Sequence, residues 1–329
     1  MIILNADDLR KALPMPDVIQ AMKRAYAALS DGRAQVPLRT HLPIPPHDAV
    51  SIFMPAFVDA DQDQALVVKA VSLFPNNPTK GLAFIQAAVL VLDSETGCPL
   101  ALLEGSRLTA IRTGAASGAA TDLLARPDSH TVAIFGAGAQ GRTQLEAVSH
   151  VREIQTVWVY DTNPNQIASF IQELAGSAPI PADIRPARTA QQAVRQADIF
   201  CTATTSSIPV FSDADLKPGV HINAIGAYTP EMQEVPPETV ARALVVVDSR
   251  LASLAEAGDL IQPIQQRIIS PDHIHAEIGE LVLGRKTGRT SKSQVTLFKS
   301  VGVAVQDAMA AQLALKKAQE MGLGQVVKW

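Results

Sequence analysis

Three cations stand where a bare charge is costly. Lys69 lies in LVVKAV, Arg39 in VPLRTHL and Arg112 in LTAIRTGAA, where it opens a stretch of small residues. Lysine and arginine are rarely buried unless paired with an anion. Three cations converging without matching acids would make a receptor for a carboxylate, which arginine grips through two parallel N–H bonds. The competing reading is an edge-strand lysine snorkelling to water beside two surface arginines. Both stay open, because convergence is not visible in a sequence.

A second chemistry is written at residues 131–142, TVAIFGAGAQGR. Gly136, Gly138 and Gly141 fit the spacing G-x-G-x-x-G, after a β-rich run and before a helical one. Glycines let a backbone approach a pyrophosphate, and the free N–H groups at a helix start face its charge. Asp161 closes the next strand, 20 residues beyond Gly141, where an acid can accept both adenosine ribose hydroxyls. The pattern predicts a bound dinucleotide. The competing reading is an unliganded turn and an aspartate that caps the next helix. A carboxylate at 161 repels a 2′-phosphate, so NAD(H) is favoured. Arg142 and Asn163 lie close enough in sequence to soften that preference, which leaves NADP(H) allowed.

Other chemistries find little support. His273 and His275 could bracket a metal, but no carboxylate spacing supports one, and no metal is expected. No G-x-S-x-G or Cys/His arrangement suggests a nucleophile. A formal charge of −4 without a basic run argues against nucleic acid or an anionic membrane as partner. The longest apolar run, near Leu82–Leu92, is too short to span a bilayer, and no signal peptide is read at the start. Cys98 and Cys201 stand far apart, which suits free thiols in a reducing cytoplasm.

The elements that must position these groups change texture along the chain. Residues 16–31 carry Val18, Ile19, Met22, Tyr26 and Leu29 on one helical face. Short apolar runs follow, separated by Pro, Asp and Asn, and VLVLD-SETGCP-LALLEG reads as a hairpin. The front sheet is therefore expected to be largely antiparallel. After the small-residue helix, strands alternate with helices, which predicts a parallel, doubly wound sheet. SVGVAVQDAMAAQLALKKAQEMG reads as one long helix. The fold class is thus α/β: a Rossmann-type sheet inserted behind a front α+β domain. The boundaries read as 1–120 for the front domain, 121–300 for the dinucleotide-binding domain and 301–329 for a helix that packs back on the front. A cleft between the domains is expected to hold the chemistry.

Four stretches together resemble a known family: NNPTKGLAFIQAAVLVLDSETGCPLALLEGSRLTAIRTGAASGAAT, VAIFGAGAQGRTQLEA, HINAIGAYTPEMQEV and TLFKSVGVAVQDAMAA. They are similar to the ornithine cyclodeaminase/mu-crystallin family over essentially the whole chain. The resemblance implies a front domain with the substrate site and the dimer interface, and homodimers whose front sheets meet. It implies that a small amino or imino acid is bound by its carboxylate beside the nicotinamide. Arg39, Lys69 and Arg112 match the substrate-binding positions. Thr113, Ala139, Gln140, Asp161, Thr202, Ala224, Ile225, Gly226, Ala227 and Ser300 match cofactor contacts.

One departure bears on the reaction. Cyclodeaminases of the family carry an acid/base aspartate where this chain has Tyr228. A phenol, with an ordinary pKa near 10, is a poor base at neutral pH. Deamination and ring closure need such a base; hydride delivery to a preformed cyclic imine does not. GAYTPEMQE instead resembles the imine-reductase branch, which reduces 1-pyrroline-2-carboxylate or 1-piperideine-2-carboxylate to L-proline or L-pipecolate. Lys69, Arg112 and Tyr228 are then the residues expected around the reacting carbon. The alternatives are an ornithine cyclodeaminase, an open-chain amino-acid dehydrogenase and a nucleotide-binding crystallin-like protein without turnover.

Overall fold

A computed structural model of the chain describes residues 1–60 and 63–328. The chain forms two compact units, residues 1–112 with 303–329 and residues 113–302. The division falls at Arg112, inside the helix Gly105–Leu124, and not at 120 as read from the change of texture.

In the first unit the strands are β1 (Ile2–Leu4), β2 (Ala34–Gln35), β3 (Thr40–Ile44), β4 (Ala49–Ala60), β5 (Asp63–Leu73), β6 (Ile85–Leu92) and β7 (Pro99–Glu104). A short strand, Gln325–Val326, adds to the edge beside β1. Every pairing is antiparallel except β1 with β7. The alternation of side chains sorts residues to two faces. Met54, Lys69 and Val89 are cross-strand neighbours on the inner face, beside Ala56, Val67 and Val91. The outer face carries Phe53, Pro55, Phe57, Leu66, Val68 and Leu90, which stay partly exposed.

Two helices pack on this sheet. Met15–Ser30 has Pro16 in its first turn and ends before Gly32, at φ 73°, as its stop signals require. The C-terminal helix is shorter than its pattern suggested: it runs Ala304–Met321, and Ser300–Val303 lead into it as coil. It packs on Met15–Ser30 and against β4 and β5. Gln306 and Asp307, in its first turn, are wholly buried among Val305, Ala308 and Met309.

The second unit holds β8 (Thr131–Phe135), β9 (Thr156–Tyr160), β10 (Ile184–Pro186), β11 (Ile199–Thr202), β12 (His221–Ala224), β13 (Leu244–Val247), β14 (Ile274–Glu277) and β15 (Thr296–Lys299). All pairs are parallel, in the order β10-β9-β8-β11-β12-β15-β13-β14. The chain runs outward from β8 to β10, then returns to the other side of β8 with β11. That reversal is the switch point at which doubly wound sheets open a crevice for a ligand.

The helix Gly105–Leu124 begins seven residues before Arg112, which therefore lies two turns inside it and does not open it. The Glu104 carboxylate accepts the N–H groups of Ser106 and Arg107 at 2.9 and 2.7 Å and so starts the helix earlier. The small residues serve close approach. A Cβ on Gly114 would lie 2.7 Å from the Thr143 carbonyl carbon, in the helix Ala139–Val151.

Candidate active site

The first unit gathers its charges on Asp307. Lys69 Nζ, from the middle of β5, donates to Asp307 Oδ2 at 2.6 Å. Arg112 Nε donates to Asp307 Oδ1 at 3.0 Å, and its Nη1 donates to Gln306 Oε1 at 2.8 Å. Gln306 is itself fixed, accepting the Val303 N–H and donating to the Tyr26 hydroxyl at 2.6 Å. Lys69, Arg112 and Asp307 are 2%, 5% and 0% exposed. Arg39, half-buried in the loop before β3, is near enough for its charge to act on Lys69.

The expectation of three cations without a matching acid is corrected here, since Asp307 answers one of them. It lies 238 residues from Lys69 in sequence, so no local spacing pointed to it. The one available signal was an aspartate standing in the apolar run VAVQDAMAAQLAL. The balance at this carboxylate nevertheless stays positive, with Lys69 and Arg112 both on Asp307. Burial lowers Lys69 to about 8; Asp307 pulls it up, and Arg112 and Arg39 push it down. Burial acts to raise Asp307, but the charges of Arg112 and Lys69 overrule it and hold the carboxyl below its ordinary value. Among the described residues, Arg112 Nη2 and two of the three Lys69 ammonium protons have no acceptor. Those are the donors a carboxylate needs.

In the second unit the predicted cofactor residues fall in one row at the carboxyl ends of adjacent strands. Gly136 follows β8, Asp161 follows β9, Thr202 ends β11, Ala224 ends β12 and Ser300 follows β15. The register sets Tyr160, Phe135, Thr202, Ala224 and Lys299 side by side. Gly136 has φ 93°, and a Cβ there would meet the Ala203 carbonyl oxygen at 2.5 Å. A Cβ on Gly141 would run into the Gly136 carbonyl oxygen. Gly138 differs: a Cβ there meets nothing within 4 Å. The turn is tight on its inner side and open on its outer side, at the exposed start of the helix led by Ala139. Gln140 Oε1 is buried with no hydrogen-bond partner. An open glycine cradle, a helix start and an orphan acceptor together fit a dinucleotide.

Asp161 ties the turn together. Its Oδ2 accepts the Ala137 N–H at 2.7 Å and its Oδ1 the Asn163 N–H at 2.8 Å, which leaves a lone pair on each oxygen. The two groups that could have softened its charge are engaged. Arg142 donates to Glu173, to Ser169 and to the carbonyls of Ala137 and Gly138. Asn163 caps the helix Pro164–Leu174. Other predicted residues hold the frame. Thr113 is buried and its carbonyl accepts Gln144 Nε2 at 3.3 Å. Ser300 donates its hydroxyl proton to the buried Asp248 at 2.7 Å. Ala224, Ile225 and Ala227 are buried, and Gly226 and Tyr228 are half-buried after β12.

The model of the ornithine cyclodeaminase/mu-crystallin family matches residues 1–322. The chain belongs to this family. Among relatives, a Delta(1)-pyrroline-2-carboxylate reductase of Bacillus cereus is 40% identical over 330 residues, covering 100% of both chains. The structure of the Thermococcus litoralis Delta(1)-pyrroline-2-carboxylate reductase, in complex with NADH and L-proline, is similar at TM-score 0.94 and 43% identity, covering 99% of this chain and 100% of that one. An archaeal alanine dehydrogenase dimer with bound NAD is similar at TM-score 0.91 and 32% identity, covering 100% and 99%. Among the described residues no group of histidines, cysteines and acids could hold a metal ion, and no helix is long and apolar enough to cross a membrane.

Proposed function

We propose that this chain reduces a cyclic ketimine carboxylate, 1-pyrroline-2-carboxylate or its six-membered homologue, to the L-amino acid with NADH. The observation that carries the reading is the surplus of buried positive charge at Lys69 and Arg112, which among the described residues keeps donors without an acceptor. Similarity to pyrroline-2-carboxylate reductases over the full chain supports the imine as substrate. When bound, the reduced nicotinamide supplies the hydride. The protein holds the substrate carboxylate on Arg112 and Lys69, with Arg39 adding charge. Asp307 and Gln306 keep Arg112 in one rotamer, which fixes the direction of the carboxylate and hence of the ring. Lys69 Nζ, held at about 8, remains protonated at neutral pH and keeps the site cationic. The substrate nitrogen arrives protonated from solvent, so the Tyr228 phenol need not act as a base.

NADH is the proposed cofactor because Asp161, at the end of β9, would meet the adenosine ribose and Arg142 is already bound to Glu173. The proposal includes a homodimer closed through the outer face of the front sheet, where Phe53, Phe57 and Leu66 remain partly exposed. It also includes a reducing cytoplasm, which suits the free Cys98 and Cys201.

Purified protein given 1-pyrroline-2-carboxylate or 1-piperideine-2-carboxylate with NADH or NADPH is expected to oxidise the cofactor and to form L-proline or L-pipecolate. Ornithine with NAD⁺ is expected to release no ammonia, because Tyr228 replaces the required carboxylate and Glu231 lies exposed on its loop. Efficient cyclodeamination would overturn the reading. The similarity to an alanine dehydrogenase favours one competitor, reductive amination of an open-chain keto acid. Pyruvate with ammonia should therefore be far poorer than either cyclic imine.

A further inference from the structure

Glu234 stands eight residues beyond Gly226 and is wholly buried. Its Oε1 accepts the N–H and the hydroxyl of Thr204 at 2.6 and 2.7 Å. Its Oε2 accepts the Thr202 hydroxyl at 2.8 Å and the N–H groups of Gly226 and Ala227 at 2.7 and 3.2 Å. One carboxylate thus joins the end of β11 to the segment that leaves β12. Backbone N–H groups can only donate, and they reach both oxygens. A carboxylate satisfies them; an amide at the same place would turn an N–H against one of them.

The backbone that carries this carboxylate is itself held. Asp259 Oδ1 accepts the N–H groups of Glu234 and Val235 at 2.7 and 2.9 Å, and Asp259 Oδ2 accepts the Lys299 ammonium at 2.9 Å. Gly226 is pressed so close that a Cβ there would run into the Thr204 carbonyl and the Glu234 carboxylate. Burial and the Asp259 charge push the Glu234 carboxyl up, against the pull of Lys299 and Thr204. Keeping two buried acids beside one lysine is costly.

What it holds follows from the topology. Doubly wound sheets bind the two halves of a dinucleotide on either side of the strand reversal. The glycine turn and Asp161 lie at β8 and β9, so the ends of β11 and β12 fall to the nicotinamide half. We propose that Glu234 is the positioning residue for that half: it sets the backbone from Ile225 to Tyr228, and with it the place of the phenol. This rests on the dinucleotide reading above.

The test is calorimetric binding of NADH and of ADP-ribose to the purified protein and to Glu234→Gln. ADP-ribose spans only the adenosine half and the pyrophosphate with one further ribose. Its dissociation constant should stay within about twofold of wild type, while that for NADH rises about tenfold or more. Equal losses for both ligands would mean general damage, and no loss for either would mean no role; each overturns the proposal. A wild-type protein that binds neither ligand would instead overturn the dinucleotide reading and this proposal with it. Should Glu234→Gln fail to fold, Thr204→Val removes the hydroxyl that donates to Glu234 and accepts the Ser206 N–H, and keeps the Thr204 N–H bond to Glu234. It should weaken NADH about threefold and leave ADP-ribose unchanged. An equal shift in both ligands, or none, would again overturn the proposal.

Discussion

Lys69 and Lys299 are both wholly buried strand lysines facing a buried aspartate, at 2.6 and 2.9 Å. Their surroundings end with opposite balances. Around Lys69 the cations win, because Lys69 and Arg112 share the one carboxylate of Asp307. Around Lys299 the acids win, because its ammonium pairs with Asp259 while the Glu234 carboxylate lies near enough to feel both charges. The surplus acid is answered inside the fold by the donors of Thr202, Thr204, Gly226 and Ala227. The surplus cation is not answered in the same way, since among the described residues donors on Lys69 and Arg112 have no acceptor. A buried ion pair is thus weak evidence of a site. What marks a site is leftover charge that the chain's own dipoles do not neutralise.

The largest expected effect removes the acid from each cluster. Asp307→Asn and Asp259→Asn each strand a buried lysine and should cost about 3–5 kcal/mol of stability in denaturant unfolding. The two should then part company. L-Proline, offering a carboxylate from outside, should raise the Tm of Asp307→Asn and leave that of Asp259→Asn nearly unmoved. Equal rescue of both would erase the distinction between an open and a closed cluster.

Next come the cations themselves. Arg112→Ala and Lys69→Ala should raise the KM for the imino acid by the equivalent of about 2–5 kcal/mol, with little change in NADH affinity. Folded variants with near-wild-type KM would place the carboxylate receptor elsewhere.

The pH dependence sharpens the same point. Burial holds Lys69 at about 8, below its ordinary 10.5. The unfolded chain therefore binds the extra proton between those values, and this lysine opposes folding most below about 8. That opposition fades as the pH rises toward 10.5. Substrate binding runs the other way. The charge is lost above about 8, so the KM for the imino acid should climb there, by at most about tenfold per pH unit. Lys69→Arg should flatten the climb, and an unchanged profile in that variant would assign the titration to another group.

Asp161 is the intermediate case, a carboxylate that accepts backbone N–H groups yet stays partly exposed. Its leftover charge should show as rejection of a 2′-phosphate. Asp161→Ser should shift relative use toward NADPH by about 1 kcal/mol, or about fivefold. A strong wild-type preference for NADPH, untouched by the change, would refute the charge argument. The smallest effect is expected at Tyr228. Tyr228→Phe should slow imine reduction by no more than about 1 kcal/mol, the worth of one neutral hydrogen bond. A collapse of kcat would make the phenol the proton donor.

Legibility differed between the two regions for a physical reason. The glycine turn was readable because strand, turn, helix and acid follow one another within a few dozen residues, and each needs a particular residue type at a particular step. Gly136, Gly141 and Asp161 stand where that spacing put them. Lys69 is readable as an anomaly, a charge in an apolar strand, and Arg112 less so, because the Glu104 cap starts its helix seven residues before it. Arg142 misled, since its nearness in sequence to the ribose acid says nothing of Glu173, which occupies it.

By itself the sequence determined the family, the alternation that makes a parallel sheet, the glycine turn and the absence of a carboxylate at residue 228. These are local patterns, set by backbone geometry and residue chemistry over short separations. Only the tertiary structure decided which charges meet. It carried Asp307 across 238 residues to Lys69 and closed Glu234 over the ends of β11 and β12. Those pairings depend on the return of the C-terminal helix to β5 and on the packing of one parallel strand against the next. Burial then strengthens whatever charge is left over, because little water remains to screen it.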